Sequence, residues 1–192
     1  MEKKLSATVS DIQAAHPHAT VEIWSQDEAR IGLFPVMRRV WAPRGKRPIA
    51  LVQPRHIWAY VSAFVHPKSG RSQVWVCQSV NIAMMTAMLA SFAEQAGAGP
   101  TKQIVLVLDQ AGWHTSPRLV VPEGLHLLHL PSHTPELQPT ERLWPYVREA
   151  VANDTPSDRA ELYQRLERRC LWVVDNPEVV HAATHFHWWP EH

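Results

Sequence analysis

The chain has 192 residues, 45% of them hydrophobic, with 19 Lys and Arg against 18 Asp and Glu for a formal charge of +1. That length suits one domain with a sizeable core, or a domain plus a short appendage, and the near-neutral balance gives no global pull toward nucleic acid. No run approaches the ~20 apolar residues of a membrane span, the opening MEKKLSATVSDIQ lacks a signal peptide's apolar core, and the well-separated Cys77 and Cys170 point to reduced thiols in the cytoplasm rather than a disulfide or zinc cluster.

Residues 1–20 read as an N-terminal extension. VEIWSQDEAR (21–30) alternates apolar and polar residues, as a strand does, and ends in Asp27 and Glu28. The segment RRVWAPRGKRPIALVQPR (38–55) follows, carrying Arg38, Arg39, Arg44, Lys46, Arg47 and Arg55 and no acid. A basic run is commonly just a solvated face. Here the charge is segregated, and Trp41 with the Pro- and Gly-containing stretch suggests a stiff, projecting loop suited to contacting a phosphate backbone. HIWAYVSAFVH (56–66) and QVWVCQSV (73–80) read as two strands joined by the PKSGR turn, an antiparallel hairpin. Asn81 is placed to cap the Ala-, Met- and Leu-rich helix IAMMTAMLASFAEQA, which GAGP ends. A fourth strand (103–108), a short helix near 116–120 and a fifth strand (125–130) come next. After the Pro-punctuated PSHTPELQP, a helix is expected from Pro139, bent or delayed by Pro145. A last helix opens at TPSDRAELYQRLERRCLWVV, with Thr155 and Asp158 in capping-box spacing. Residues 153–192 are read as this helix and a polar, partly disordered tail.

Three strands in an antiparallel run, then helix, strand, helix, strand and closing helices, predict an α/β fold. Its core is a ribonuclease-H-like mixed five-stranded sheet flanked by helices. In that sheet the first strand is central and neighbours the fourth. Asp27 and Asp109 then lie side by side at strand ends, and Glu141, in the first turn of the helix after strand five, packs nearby. An Asp at a strand tip can be a mere helix cap, with Ser116 and Thr115 as rivals for that role, or a catalytic carboxylate on a rigid mount. Three clustered carboxylates repel or take up protons unless a cation joins them. Mg²⁺, or Mn²⁺ in its place, suits such oxygen ligands, and two ions ~3.5–4 Å apart can activate the attacking oxygen and stabilise the leaving one in phosphodiester cleavage.

WSQDEARIGL, RRVWAPRGKRP, LVLDQAGWHTS and LHLLHLPSHTPELQPTERLWPYVR, taken in order, resemble the blocks of DDE-type transposases from the bacterial insertion-sequence branch of the mariner superfamily, over about residues 21–152. The order Pro-Glu-Leu-x-Pro-x-Glu-Arg-x-Trp (135–144) is the most specific. The resemblance implies a catalytic domain over 21–152 whose metal-binding triad is Asp27, Asp109 and Glu141. It further implies metal-dependent strand cleavage and strand transfer on DNA, with water and then a DNA 3′-hydroxyl as nucleophiles, in a cytoplasmic, nucleoid-associated protein that can form a homodimer. The chain departs from the family in reading Pro131-Ser132-His133-Thr134-Pro135 where relatives read Pro-Pro-Tyr-Ser-Pro. Gln110 and Gln138 stand where Asn is common, and only 32 positions separate Asp109 from Glu141. Relatives usually carry an N-terminal helix-turn-helix region that recognises the element's ends. About 20 residues are too few for one, so end recognition is expected in a separate polypeptide or upstream frame. The alternative to an enzyme is a catalytically decayed fragment that serves only as a DNA-binding or assembly module.

Arg38, Arg39, Arg44, Lys46 and Arg47 are the expected phosphate contacts. His114 either joins them, five residues beyond Asp109, or is an ordinary helix-start histidine. Trp113 and Trp144 are expected to wall the site in preference to stacking on a flipped base, and Trp24, Trp58 and Trp75 to pack in the core. Glu28 should point to the face opposite Asp27 and be a poor ligand, and Glu136 reads as a solvated turn residue. Cys170, His181, His185 and His187 have a spacing that zinc allows but lack the second Cys of a zinc set.

Overall fold

The computed structural model describes residues 1–33, 41–46, 48–49, 55–153 and 156–190. Its strands β1 (Thr20–Leu33), β2 (Arg55–His66), β3 (Arg71–Cys77), β4 (Lys102–Leu108) and β5 (Leu125–His129) form one sheet in the order β3-β2-β1-β4-β5. β1 runs antiparallel to β2 and parallel to β4; β2–β3 is antiparallel and β4–β5 parallel. The mixed five-stranded sheet read from the sequence is therefore the one observed. β4 is buried from Ile104 to Leu108, as the near-continuous apolar run of a strand covered on both faces requires.

Alternation along β1 divides the molecule. One face carries Val21, Ile23, Ala29, Ile31 and Leu33, and the other carries Trp24. Helix α2 (Ile82–Ala96) covers the Trp24 face through Met85, Leu89 and Phe92. Asn81 caps it by accepting from the Met84 N–H at 2.9 Å, and Gly97, at φ 74°, ends it in the left-handed conformation that glycine adopts without penalty. The opposite face is covered by α1 (Glu2–Ala15), α3 (Trp144–Arg148), α4 (Arg159–Asp175) and α5 (Pro177–Thr184).

Several expectations change. Residues 1–20, read only as an extension, contain helix α1: Leu5, Val9 and Ile12 recur at helical spacing and bury against Val21, Ile23, Val105 and Val107. Full burial of such a side chain contributes about 1.5–3 kcal/mol. No helix forms at 116–120, where the chain makes turns. The Ser116 hydroxyl accepts from the Arg118 N–H at 3.2 Å, and Pro117 and Pro122 interrupt any longer run. The helix from Pro139 begins as a 3₁₀ segment (Pro139–Leu143), becomes α3 for five residues and returns to 3₁₀ (Glu149–Val151), since Pro145 supplies no backbone donor. The cap of α4 is Asp158, which accepts from the Glu161 N–H, while Glu161 reaches back to the Ser157 N–H. Thr155, expected in that role, lies outside the described residues.

Nor is the C-terminal tail a disordered appendage. α5 starts with Pro177 at its first position and buries Val180 and Thr184, and Trp189 joins the cluster of Leu5 and Val9. The β2–β3 turn sits directly on α5. Gly70, at φ 72°, lies so close that a Cβ would fall 1.8 Å from the Pro177 carbonyl oxygen.

Candidate active site

The last parallel pair between β1 and β4 is Ser25 with Val107. Continuing that register by two residues brings Asp27 level with Asp109, just beyond the end of β4. Asp27 lies inside β1, not at its end, because β1 continues to Leu33 against β2 alone. Glu141 belongs to the 3₁₀ turn Pro139–Leu143, which packs across β1 and β2 through Thr140 and Leu143. All three carboxylates line one cavity of about 450 Å³, together with Gln110, Ser132, His133 and Gln138.

Each acid is held by a specific device. The Trp144 indole N–H donates to Asp27 Oδ2 at 2.8 Å, so Trp144 backs the site from within the core instead of walling it. Asp109 Oδ1 accepts from the Ala111 N–H at 2.9 Å and from His114 Nδ1 at 2.7 Å. The segment bearing Glu141 is tied to β1 by a buried network. In it Ser25 Oγ bonds to Gln138 Oε1 and, at 2.7 Å, to Thr140 Oγ1, and Gln138 Nε2 donates to the Gln26 carbonyl at 2.7 Å. Gln110 Nε2 donates to the Leu130 carbonyl at 2.7 Å, fixing the Asp109 turn to the end of β5. The two glutamines at the Asn positions of the resemblance are thus structural ties.

The electrostatics set the acids apart. Burial pushes the Asp27 carboxyl up to about 7; the charges of Glu141 and Glu28 push the same way, against the Trp144 bond. Asp109, half-exposed, is held below its usual range chiefly by the His114 bond. Among the described residues no three His, Cys, Asp or Glu side chains are close enough together to form a metal-holding group. The carboxylates share a cavity without meeting at a point. Three carboxylates from three separate elements, one of them driven toward protonation by burial and by its neighbours' charge, are nevertheless an oxygen donor set of the kind that hard divalent cations take.

His114 is not a surface phosphate contact. It is 2% exposed, with Nδ1 on Asp109 and Nε2 3.2 Å from Glu28 Oε1. Burial alone would lower its pKa, but the bonds to Asp109 and Glu28 outweigh it and raise the imidazole to about 9. Glu28 does face away from Asp27, but with a defined partner that sequence reasoning missed. Trp113 packs against the core behind the site, its ring edge-on to His114 at 5.9 Å, and does not line the cavity. Arg44 and Lys46 are exposed in a turn closed by Lys46 N–H to the Pro43 carbonyl, beside a fully exposed Trp41. Arg38, Arg39 and Arg47 lie outside the described residues. Glu136 is exposed, and Cys170 is buried with its thiol pushed up to about 12.

A β3-β2-β1-β4-β5 sheet with acids gathered past the end of its parallel central pair defines a ribonuclease-H-like core. The chain belongs to the DDE superfamily of endonucleases, whose family model matches residues 22–163. It is 37% identical over 93 residues to the uncharacterized protein y4pE/y4sA of Sinorhizobium fredii, covering 48% of this chain and 67% of that one. Its fold is similar to that of Mos1 transposase. For the paired-end complex with left transposon end the TM-score is 0.56 at 12% identity, over 98% of this chain and 62% of the other. For the Mos1 strand transfer complex the values are 0.57 and 14%, over 97% and 61%, and for the Mos1 mariner paired end complex with Mn 0.55 and 13%, over 86% and 56%. The chain therefore spans about three fifths of the Mos1 transposase chain.

Proposed function

We propose that the chain is the catalytic domain of an insertion-sequence transposase. It cleaves DNA strands and transfers them in a divalent-metal-dependent reaction, with Asp27, Asp109 and Glu141 as the ligands. The observation that carries this reading is that those three acids, from three separate segments of the chain, line one cavity near the end of the parallel strand pair. Bound by them, Mg²⁺ or Mn²⁺, as one ion or two, would supply Lewis acidity to the attacking and leaving oxygens of a phosphodiester.

The chain's own groups do the rest. Trp144 holds one oxygen of Asp27, and the Ser25–Gln138–Thr140 network fixes the approach of Glu141. The exposed Ser132 and His133 line the cavity with polar groups suited to a DNA backbone. Arg44 and Lys46, exposed on their turn, and Arg38, Arg39 and Arg47 contribute sequence-independent phosphate contacts. Those contacts carry no base information, so recognition of element ends resides in another segment or polypeptide.

The test is nicking of supercoiled plasmid in Mn²⁺ by the wild-type chain, Asp109→Asn and Glu141→Gln. Wild-type nicking should be dispersed along the DNA and lost in both variants. Nicking that survives both substitutions would overturn the assignment, and a folded, DNA-binding wild-type chain that never nicks would favour the decayed-module reading.

A further inference from the structure

We propose that His114 and Glu28 form a positioning relay that fixes Asp109 as a ligand with one oxygen left to offer. This rests on the reading of Asp109 as a metal ligand. Asp109 stands past the end of β4 with 54% of its side chain exposed, where a carboxylate would otherwise rotate freely. Two donors remove that freedom on one side only: the Ala111 N–H and His114 Nδ1 both bond Oδ1. Oδ2 is the oxygen that remains for the cavity. The relay continues behind the site. His114 Nε2 meets Glu28 Oε1 at 3.2 Å, and both side chains are almost wholly buried, at 0% and 6% exposure.

Alternation along β1 places Glu28 on the α2 face, opposite Asp27. This carboxylate is buried and does not line the cavity that holds Asp27, and its partner is the imidazole. The two carboxylates meet opposite ring nitrogens and so fix the ring plane from its two ends. Trp113 meets the ring edge-on, and the His114 N–H is tied to the Ala111 carbonyl at 2.9 Å. The ring passes around the end of β4 and couples the strand's two faces. Outer partners of this kind orient ligands, and losing one typically costs ~10–100-fold in metal affinity.

Two amides separate the relay from simple packing. In His114→Asn the side-chain N–H₂ stands near the place of Nδ1 and can keep the Asp109 bond. In His114→Gln it stands near Nε2 and keeps only the Glu28 bond. Mn²⁺ binding to the DNA-free chain is read from loss of the free-ion paramagnetic resonance signal, alongside melting temperature and plasmid nicking. The relay predicts near-wild-type Mn²⁺ affinity for His114→Asn and a ~10–100-fold loss for His114→Gln, with similar melting temperatures for the two. Glu28→Gln, which keeps an acceptor for Nε2, should lie between them. Affinities of the two His114 variants that fall together, in step with melting temperature, would overturn the relay and leave a packing role. A wild-type chain that binds no Mn²⁺ would instead overturn the reading of Asp109, and the relay with it.

Discussion

Glu22 and Asp27 lie five residues apart on β1, near opposite ends of the sheet's parallel central pair, and their environments are opposite in kind. Glu22 is met by Arg71 at 2.7 Å, Lys102 at 2.9 Å and the Trp24 indole N–H at 2.8 Å. Burial opposes its ionisation, yet those bonds win and hold it at about 2. Asp27 accepts from the neutral Trp144 indole and from the Glu28 backbone N–H; burial, joined by the charges of Glu141 and Glu28, takes it to about 7. At one end the protein neutralises its own acid. At the other, among the described residues, no cationic side chain bonds Asp27, which borders a cavity that Asp109 and Glu141 also line, an arrangement that a divalent cation would relieve.

The largest effect should come from removing the uncompensated charge. Asp27 is favoured neutral in the fold, so its stabilising contribution is complete below its unfolded value of 3.8 and is lost as pH rises through about 7. The distance between those values corresponds to about 4 kcal/mol as an upper bound. Asp27→Asn should therefore melt above the metal-free wild type at pH 8 and near it at pH 4, in paired thermal melts. Breaking the tie that aims Glu141 comes next. Ser25→Ala leaves Gln138 Oε1 and Thr140 short of a buried partner, so chemical denaturation should show a loss of about 1–3 kcal/mol, and nicking should fall further than that stability loss explains.

At the Glu22 end the sign reverses. Its depressed value gives stability that is present above pH 4.5 and lost as pH falls through about 2. Because Arg71 is half exposed, Glu22→Gln should cost only about 1 kcal/mol at pH 7, flatten the acid limb of the melting profile and leave nicking intact. The smallest effect should be Arg44→Glu with Lys46→Glu. Unchanged melting should accompany weaker binding to all DNA sequences alike, and the salt slope should flatten by about one unit for each phosphate no longer neutralised.

The sheet and its acids were legible because they obey short-range rules. The β2–β3 hairpin, the Asn81 cap and the buried run of β4 each announce themselves by periodicity or by a capping residue. Strand order then places Asp27 beside Asp109. Helix α1 was equally present in the spacing of Leu5, Val9 and Ile12, but few other apolar residues reinforce it and its stability comes from the sheet it covers. The 116–120 segment shows the converse error: Ser116 looked like a cap but uses its hydroxyl to close a turn. The hydrogen bonds from His114 to Glu28 and from Trp144 to Asp27 span 86 and 117 positions. No local pattern encodes such pairs, so the side chains that orient the acids emerged only from the tertiary structure.

The proposed function requires the cavity beside Asp27 to receive a divalent cation. Thermal melts of the DNA-free chain at pH 7.5 across a Mn²⁺ titration test it most directly, because a ligand that binds only the folded state raises the melting temperature by mass action. The expected result is a saturable rise in the wild type that Asp27→Asn and Asp109→Asn abolish and Glu22→Gln preserves. A wild-type melting temperature indifferent to millimolar Mn²⁺, or a rise that persists in both aspartate variants, would contradict it.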